Sequence, residues 1–411
     1  MYTMAMVNKK VNPLRGFRDF MPDEARKREW LKERLASIFE SWGYQPIESP
    51  TLESLEIFVG QIGEDEKLFY QFEDPGGRQV ALRYDQTVPT CRMIGRFSGK
   101  LPIPFRRYQI QPVFRAERPQ KGRYREFLQA DADMYGVAEP EADAELIALS
   151  LDVYRQLGFE QVVARINDRS LLQEFPYEAL SSIDKIHKIG SQAVVEDMVS
   201  KGISTDTAWE YLSKLQNLQP NETISRIFAY LADAGFDEDW YQFDPTIARS
   251  FSYSQGPIWE ITLPDDHQSL LGGERYDGLV ENVGGVSVPA TGFGLGFDRT
   301  LEAAESRELL PVMEGSAEVL IANFDPDSRH MAFEVAADLR AEQVRVEMYP
   351  IEAKLGKQFK YADGQNIPWV LLIGADERAA NTVTLRNMKT SENVTISRVQ
   401  LIDKIWDLLS Q

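Results

Sequence analysis

Between Arg83 and Ala130 an acidic chain turns locally basic. Eleven Arg or Lys stand there against three acids, a balance of +8 in a 411-residue chain whose net charge is −19, which leaves −27 for the rest. A basic run is most often a solvated helix face. Here the arginines fall among Pro, Gly and strand-like residues rather than at helical spacing, so the run reads as a surface for polyphosphate. Because the whole chain repels a polyanion, any nucleic-acid contact has to be made by a local patch of this kind.

The centre of the run is FRAERPQKGRYREFLQADADMYG, Phe114 to Gly136. Arg115 and Glu117 share one face of a predicted strand, a Gly-containing basic loop follows, and Phe127 and Gln129 return on the partner strand. Guanidinium for phosphates, an aromatic ring for a base and a carboxylate for an exocyclic amine or a metal are the parts that hold a nucleoside triphosphate. No GxxxxGK[ST] loop is present. GFGLGFDR lacks the acid that a dinucleotide fingerprint requires, so its glycines are read as letting a strand run close beneath a ligand.

Around this centre the periodicities define several parts. Asp23 to Trp42 carries Trp30, Leu31, Leu35, Ile38 and Phe39 at helical spacing, with Pro22 before it and Gly43 after it. Gln79–Leu82 and Arg107–Phe114 read as strands joined by a Pro/Gly-punctuated connection, and Glu139–Leu157 reads as a helix. From Ser170 to Asp239 only helical periodicity is found. Strand patterns return at Ile258–Leu263 and Ala290–Gly296. After Pro311 strands and helices alternate as in a small α/β domain. The boundaries drawn are 1–169 and 241–311 for two parts of one core, 170–240 for a helical insertion and 318–411 for the last domain. A single Cys and three scattered His allow no intramolecular disulfide and no Cys/His metal cluster, so no metal site is predicted from them. No apolar run suffices to span a bilayer, and the N-terminus has no apolar signal region, which places the chain in the cytosol without a membrane partner.

The Phe114–Gly136 segment resembles motif 2 of class II aminoacyl-tRNA synthetases, and RPQKGRYREF resembles the histidyl enzymes within that class. Other stretches match the same family in order. GYQPIESPTLES resembles motif 1, with Pro50 at the family's dimer interface. LRYDQT, Leu82 to Thr87, resembles the amino-acid-binding signature, LGGERYDGLV, Leu271 to Val280, a histidine motif, and PATGFGLGFDRT motif 3. The resemblance implies an α+β fold: an antiparallel-sheet catalytic domain with a helical insertion, and a C-terminal α/β anticodon-binding domain.

It further implies a homodimer that activates histidine with ATP and Mg2+ and transfers it to the 3′ end of tRNA(His). Arg115 and Arg249 become catalytic. Arg115, Glu117, Phe127 and Arg299 contact ATP, while Asp85, Thr87, Gln129, Asp133, Tyr253 and Tyr276 contact histidine. Asp85 takes its α-ammonium group and Asp133 its imidazole N–H. Gln120 and Arg123 of the loop, with Arg345, Lys354, Lys357 and Lys360 of the last domain, fall to tRNA. One segment departs from the family: RSFSYS, Arg249 to Ser254, stands where the family reads RGLDYY. Ser254 replaces a tyrosine that lines the imidazole pocket, and Ser252 replaces the aspartate. Two rival readings follow: a synthetase-like regulatory subunit of ATP phosphoribosyltransferase, and a paralogue of altered ligand specificity.

Overall fold

The structure is a computed structural model, which describes residues 11–61, 68–119, 122–248, 254–312 and 315–409, apart from the side chain of His267. Two compact units divide the chain, Met1–Leu310 and Pro311–Gln411.

The first unit opens with α1 (Pro22–Ser41), which starts on a proline and stops just before Gly43, whose φ of +81° a side-chained residue rarely adopts. Its Leu31, Leu35, Ile38 and Phe39 are buried, each worth roughly 1.5–3 kcal/mol by removal from water. Next come β1 (Gln45–Pro46) and a small sheet of β2 (Leu52–Ser54), β3 (Gln71–Glu73) and β4 (Gln79–Leu82), in the order β2-β4-β3. Where a punctuated connection was predicted, the chain forms α2 (Thr87–Phe97). Pro89 lies in its first turn, where a backbone N–H has no intrahelical partner to lose, so the proline does not break the helix.

The remaining elements of this unit are β5 (Phe105–Phe114), β6 (Glu126–Tyr135), α3 (Pro140–Gln156), β7 (Val163–Asp168), the helices α4 (Tyr177–Ile183), α5 (Ile186–Ser200), α6 (Thr205–Gln216) and α7 (Glu222–Asp233), then β8 (Tyr241–Phe243), β9 (Pro257–Leu263), β10 (Asp266–Arg275), α8 (Asp277–Gly284), β11 (Ala290–Gly296) and α9 (Phe297–Ser306). The large sheet runs β1-β5-β6-β11-β10-β9-β7-β8. Its six central strands are antiparallel, while β1/β5 and β7/β8 pair in parallel, so the sheet is mixed rather than purely antiparallel.

Strand alternation gives this sheet two chemically different faces. One carries Tyr108, Ala130, Ala132, Met134, Phe293, Leu295, Leu271 and Trp259 into a core shared with α1 and α3. The opposite face is polar. Across β5, β6 and β11 its direct neighbours are Gln111, Gln129 and Gly296; then Gln109, Asp131 and Gly294; then Arg107, Asp133 and Gly292. On β10, Gly272 and Glu274 continue the last two rows. Gly273, on the core face, is required because a Cβ there would overlap the indole of Trp259.

The second unit is a five-stranded sheet with helices: β12 (Val319–Ile321), α10 (Arg329–Ala341), β13 (Val346–Met348), α11 (Leu355–Gly364), β14 (Trp369–Leu372), α12 (Ala375–Ala380), β15 (Thr382–Asn387), β16 (Asn393–Ser397) and α13 (Leu401–Leu409). The order is β13-β12-β14-β15-β16, parallel through the first three strands and antiparallel after them. Val335, Leu339, Trp369, Leu371, Leu385 and Ile405 fill one side of it.

Candidate active site

A cavity of about 290 Å³ lies over the polar face of the large sheet. Its walls bring together Thr87, Arg115, Glu117, Arg123, Phe127, Gln129 and Arg299, residues that lie as much as 212 positions apart in the sequence. One half of the lining is cationic. Arg115 leaves the end of β5 between two rings, 4.3 Å from the centroid of Tyr84 and 5.3 Å from that of Phe127, and donates from Nε to the Tyr84 carbonyl oxygen at 3.3 Å. Arg299, in the first turn of α9, donates to the Ser269 carbonyl oxygen at 2.9 Å. Burial first, and then the positive charges of Arg123 and Arg115, hold its guanidinium below the ordinary arginine pKa. Like charges gathered in a desolvated wall are unfavourable unless an anion joins them. Glu117 answers one of them, facing Arg123 at 3.3 Å.

The inner half is acidic. Asp85 precedes α2 and accepts from the Val88 amide at 3.1 Å; burial raises its pKa, and the nearby Glu274 raises it further. Gln129 donates to both oxygens of Asp131, at 2.9 and 3.0 Å. Asp131 is pushed up to about 8, chiefly by burial and also by the charge of Asp133. Asp133 pairs with Arg107 across β5/β6 and accepts from the Tyr276 hydroxyl, which also reaches the Tyr135 hydroxyl at 3.0 Å. Asp133 and Tyr276 are each 2% exposed. Along with Asp85, they sit behind the cavity wall, whereas Glu274 is part of that wall. The glycines of β11 take a more divided part than close approach to a ligand. Gly294 and Gly296 line the cavity, but a Cβ on Gly292 would overlap the Asp133 carboxylate, so this glycine makes room for a protein side chain.

Arg249, Tyr253 and Gln120 lie outside the described residues. In the second unit Lys354, Lys357 and Lys360 are exposed, at three-residue spacing along α11 and its cap. Arg345 lies before β13 and faces Glu318 at 3.4 Å. Sequence reasoning assigned no role to Glu274, Ser269 or Tyr124, all of which line the cavity. The alternation of Gly272 and Glu274 on one face of β10 was the available signal, but two adjacent glycines make a poor strand signature.

Both units match known families. The family model described as histidyl-tRNA synthetase matches residues 16–219 and 192–300, and that of the anticodon-binding domain matches 318–408. A histidine–tRNA ligase of Thermococcus kodakarensis is 34% identical over 433 residues, spanning 97% of this chain and 99% of its own. The crystal structure of histidyl-tRNA synthetase from Nostoc sp. PCC 7120 is similar with a TM-score of 0.82 at 26% identity, over 97% of this chain and all of that one. A Bacillus halodurans structure titled ATP phosphoribosyltransferase regulatory subunit/histidyl-tRNA synthetase gives a TM-score of 0.72 at 22% identity over 90% of this chain, a likeness of fold alone. With family matches over both units and a relative at this identity along nearly its whole length, the chain belongs to the histidyl-tRNA synthetase family of class II aminoacyl-tRNA ligases.

Proposed function

We propose that the cavity holds ATP at its cationic half and an amino acid, histidine on the family's pattern, at its acidic half. The chain joins them as an aminoacyl-adenylate and passes the acyl group to the 3′ end of tRNA(His). The observation that carries this reading is the convergence of Arg115, Arg123 and Arg299 on one cavity whose lining also holds the Gln129 amide and the Glu274 carboxylate. An in-line displacement at the α-phosphorus needs little covalent help from protein. It needs the two substrates aligned and cations where charge develops, and each such donor is worth roughly 2.7–4 kcal/mol by analogy with oxyanion donors. Arg115 and Arg299 supply charge from the walls, and Phe127 offers a face to the adenine. The resemblance assigns Arg249 to the α-phosphate.

Among the described residues no three of His, Cys, Asp and Glu converge as a metal cage. That fits Mg2+ delivered on the nucleotide, where one or two carboxylates suffice. Glu117 would be the carboxylate beside it, and the ion would neutralise the outer phosphates. The remaining assignments extend the same reading: a cytoplasmic homodimer paired through the motif 1 region, a helical insertion over 170–240 between catalytic parts 1–169 and 241–311, and an anticodon-binding domain over 318–411. Amino-acid-dependent ATP–pyrophosphate exchange across all twenty amino acids tests the proposal. Exchange stimulated by histidine is the expected result, and exchange with none of them rejects adenylate formation.

A further inference from the structure

Glu274 is the least matched carboxylate at the acidic end of the cavity. It is 8% exposed, it lines the cavity from β10, and its Oε2 accepts the hydroxyl of Ser254, which is itself 6% exposed. The other acids near it are accounted for. Asp133 faces Arg107 and Tyr276, and Asp131 holds the Gln129 amide and keeps its proton near neutrality. Asp85 accepts from the Val88 amide in the first turn of α2 and lies within the influence of Arg115. Arg169 acts on Glu274 through space, but its guanidinium donates to the Ala248 carbonyl oxygen at 2.6 Å, and Glu274 has no ion pair among the described residues. A buried carboxylate held by a single neutral hydroxyl is costly until a cation or a strong donor meets it.

On the adenylate reading, the substrate brings one ammonium group, which the resemblance gives to Asp85. Glu274 then needs a second donor, and the rest of the amino acid is what can supply it. We propose that Glu274, oriented by Ser254, is a specificity-determining residue that receives the N–H end of a cationic amino-acid side chain. Ser254 is a positioning residue in this arrangement. Its hydroxyl fixes one carboxylate oxygen, and its small size leaves room for the glutamate where the family places a tyrosine. The role expected of Asp133 thus passes to an acid that reaches the cavity itself. A neutral side chain of similar shape leaves Glu274 unpaired, the condition under which hydrogen-bonding sites discriminate most strongly.

The experiment compares wild type, Glu274→Gln and Ser254→Ala in pyrophosphate exchange, with histidine, lysine and arginine set against phenylalanine, leucine and methionine. The expected results are a preference of wild type for a cationic side chain, at least a tenfold fall in kcat/KM for that amino acid in Glu274→Gln, and a KM for ATP within threefold of wild type. Ser254→Ala raises the amino-acid KM with kcat little changed, and Ser254→Thr restores it. Wild type that prefers a neutral amino acid overturns the proposal, and this comparison stands even if Glu274→Gln does not fold. Glu274→Gln with unaltered kcat/KM also overturns it. If wild type shows no exchange with any amino acid, adenylate formation fails as a separate matter, and thermal shift with the same six amino acids decides. A Tm increase with a cationic amino acid that is lost in Glu274→Gln supports the proposal, and no increase in wild type overturns it.

Discussion

Arg107 and Asp133 stand directly opposite one another on β5 and β6 and form an ion pair in which the arginine side chain is fully buried and that of the aspartate 3% exposed. A buried pair of this kind adds little stability over apolar residues, but removing one partner strands the other charge. Arg107→Leu is therefore expected to destabilise the first unit by roughly 3–5 kcal/mol, read as a lowered urea midpoint by tryptophan fluorescence. Arg107→Leu combined with Asp133→Leu should recover most of that loss. Equal losses for the single and double variants would show the pair to be unimportant.

Arg299 meets the cavity in the company of two other arginines, so its charge is exerted on whatever anion enters. Arg299→Ala should raise the KM for ATP at least tenfold in pyrophosphate exchange while moving the amino-acid KM by less than threefold. An unchanged KM for ATP would remove Arg299 from the nucleotide site.

For Arg249, known from its sequence context alone, the expectation is different in kind. Arg249→Ala should leave ATP binding nearly intact and slow adenylate formation by a factor on the order of a hundred, as loss of a transition-state donor does. Single-turnover rates separate the two, and a near-normal rate would take this arginine out of the chemistry.

The lysines of α11 give the acidic chain a local cationic flank in its second unit. Replacing Lys354, Lys357 and Lys360 together by Glu should weaken tRNA binding at least tenfold and flatten the dependence of log K on log salt. Exchange without tRNA should be untouched. Filter binding at two ionic strengths reads both quantities, and unchanged affinity would mark these lysines as solubilising charges.

Asp131 supplies a pH dependence whose sign follows from the fold. Its pKa rises to about 8 in the folded chain, mainly through burial, whereas an exposed aspartate titrates near 3.9. Between those values the folded state holds a proton that the unfolded state has released, so this group lowers stability as pH rises through the window, and the loss is complete above about 8. Asp131→Asn should flatten that fall in urea titrations at pH 5, 6.5 and 8. A wild-type slope that survives in the variant would assign it to other groups.

The cationic wall of the cavity was legible in the residue string where the signals are local. Arg115, Glu117 and Phe127 sit in one short basic stretch, although Arg115 and Glu117 follow the end of β5 rather than lie on it. Arg299 came from the resemblance of its segment to motif 3, and α1, β9 and β11 follow from periodicity and from proline or glycine at their ends. What lies opposite what was not legible. Sequence order does not say that Asp133 meets Arg107 across a strand pair, that Gly292 is empty to admit Asp133, or that α2 forms around Pro89. Nor does it say that Ser254 closes on Glu274, because register and cross-strand contact are properties of the assembled sheet. The amino-acid string by itself determined the family, the cationic residues of the cavity wall and most of the regular elements. Only the tertiary structure decided which buried acids are matched and which one is left facing the cavity, since that depends on the desolvation and pairing of groups far apart in the chain.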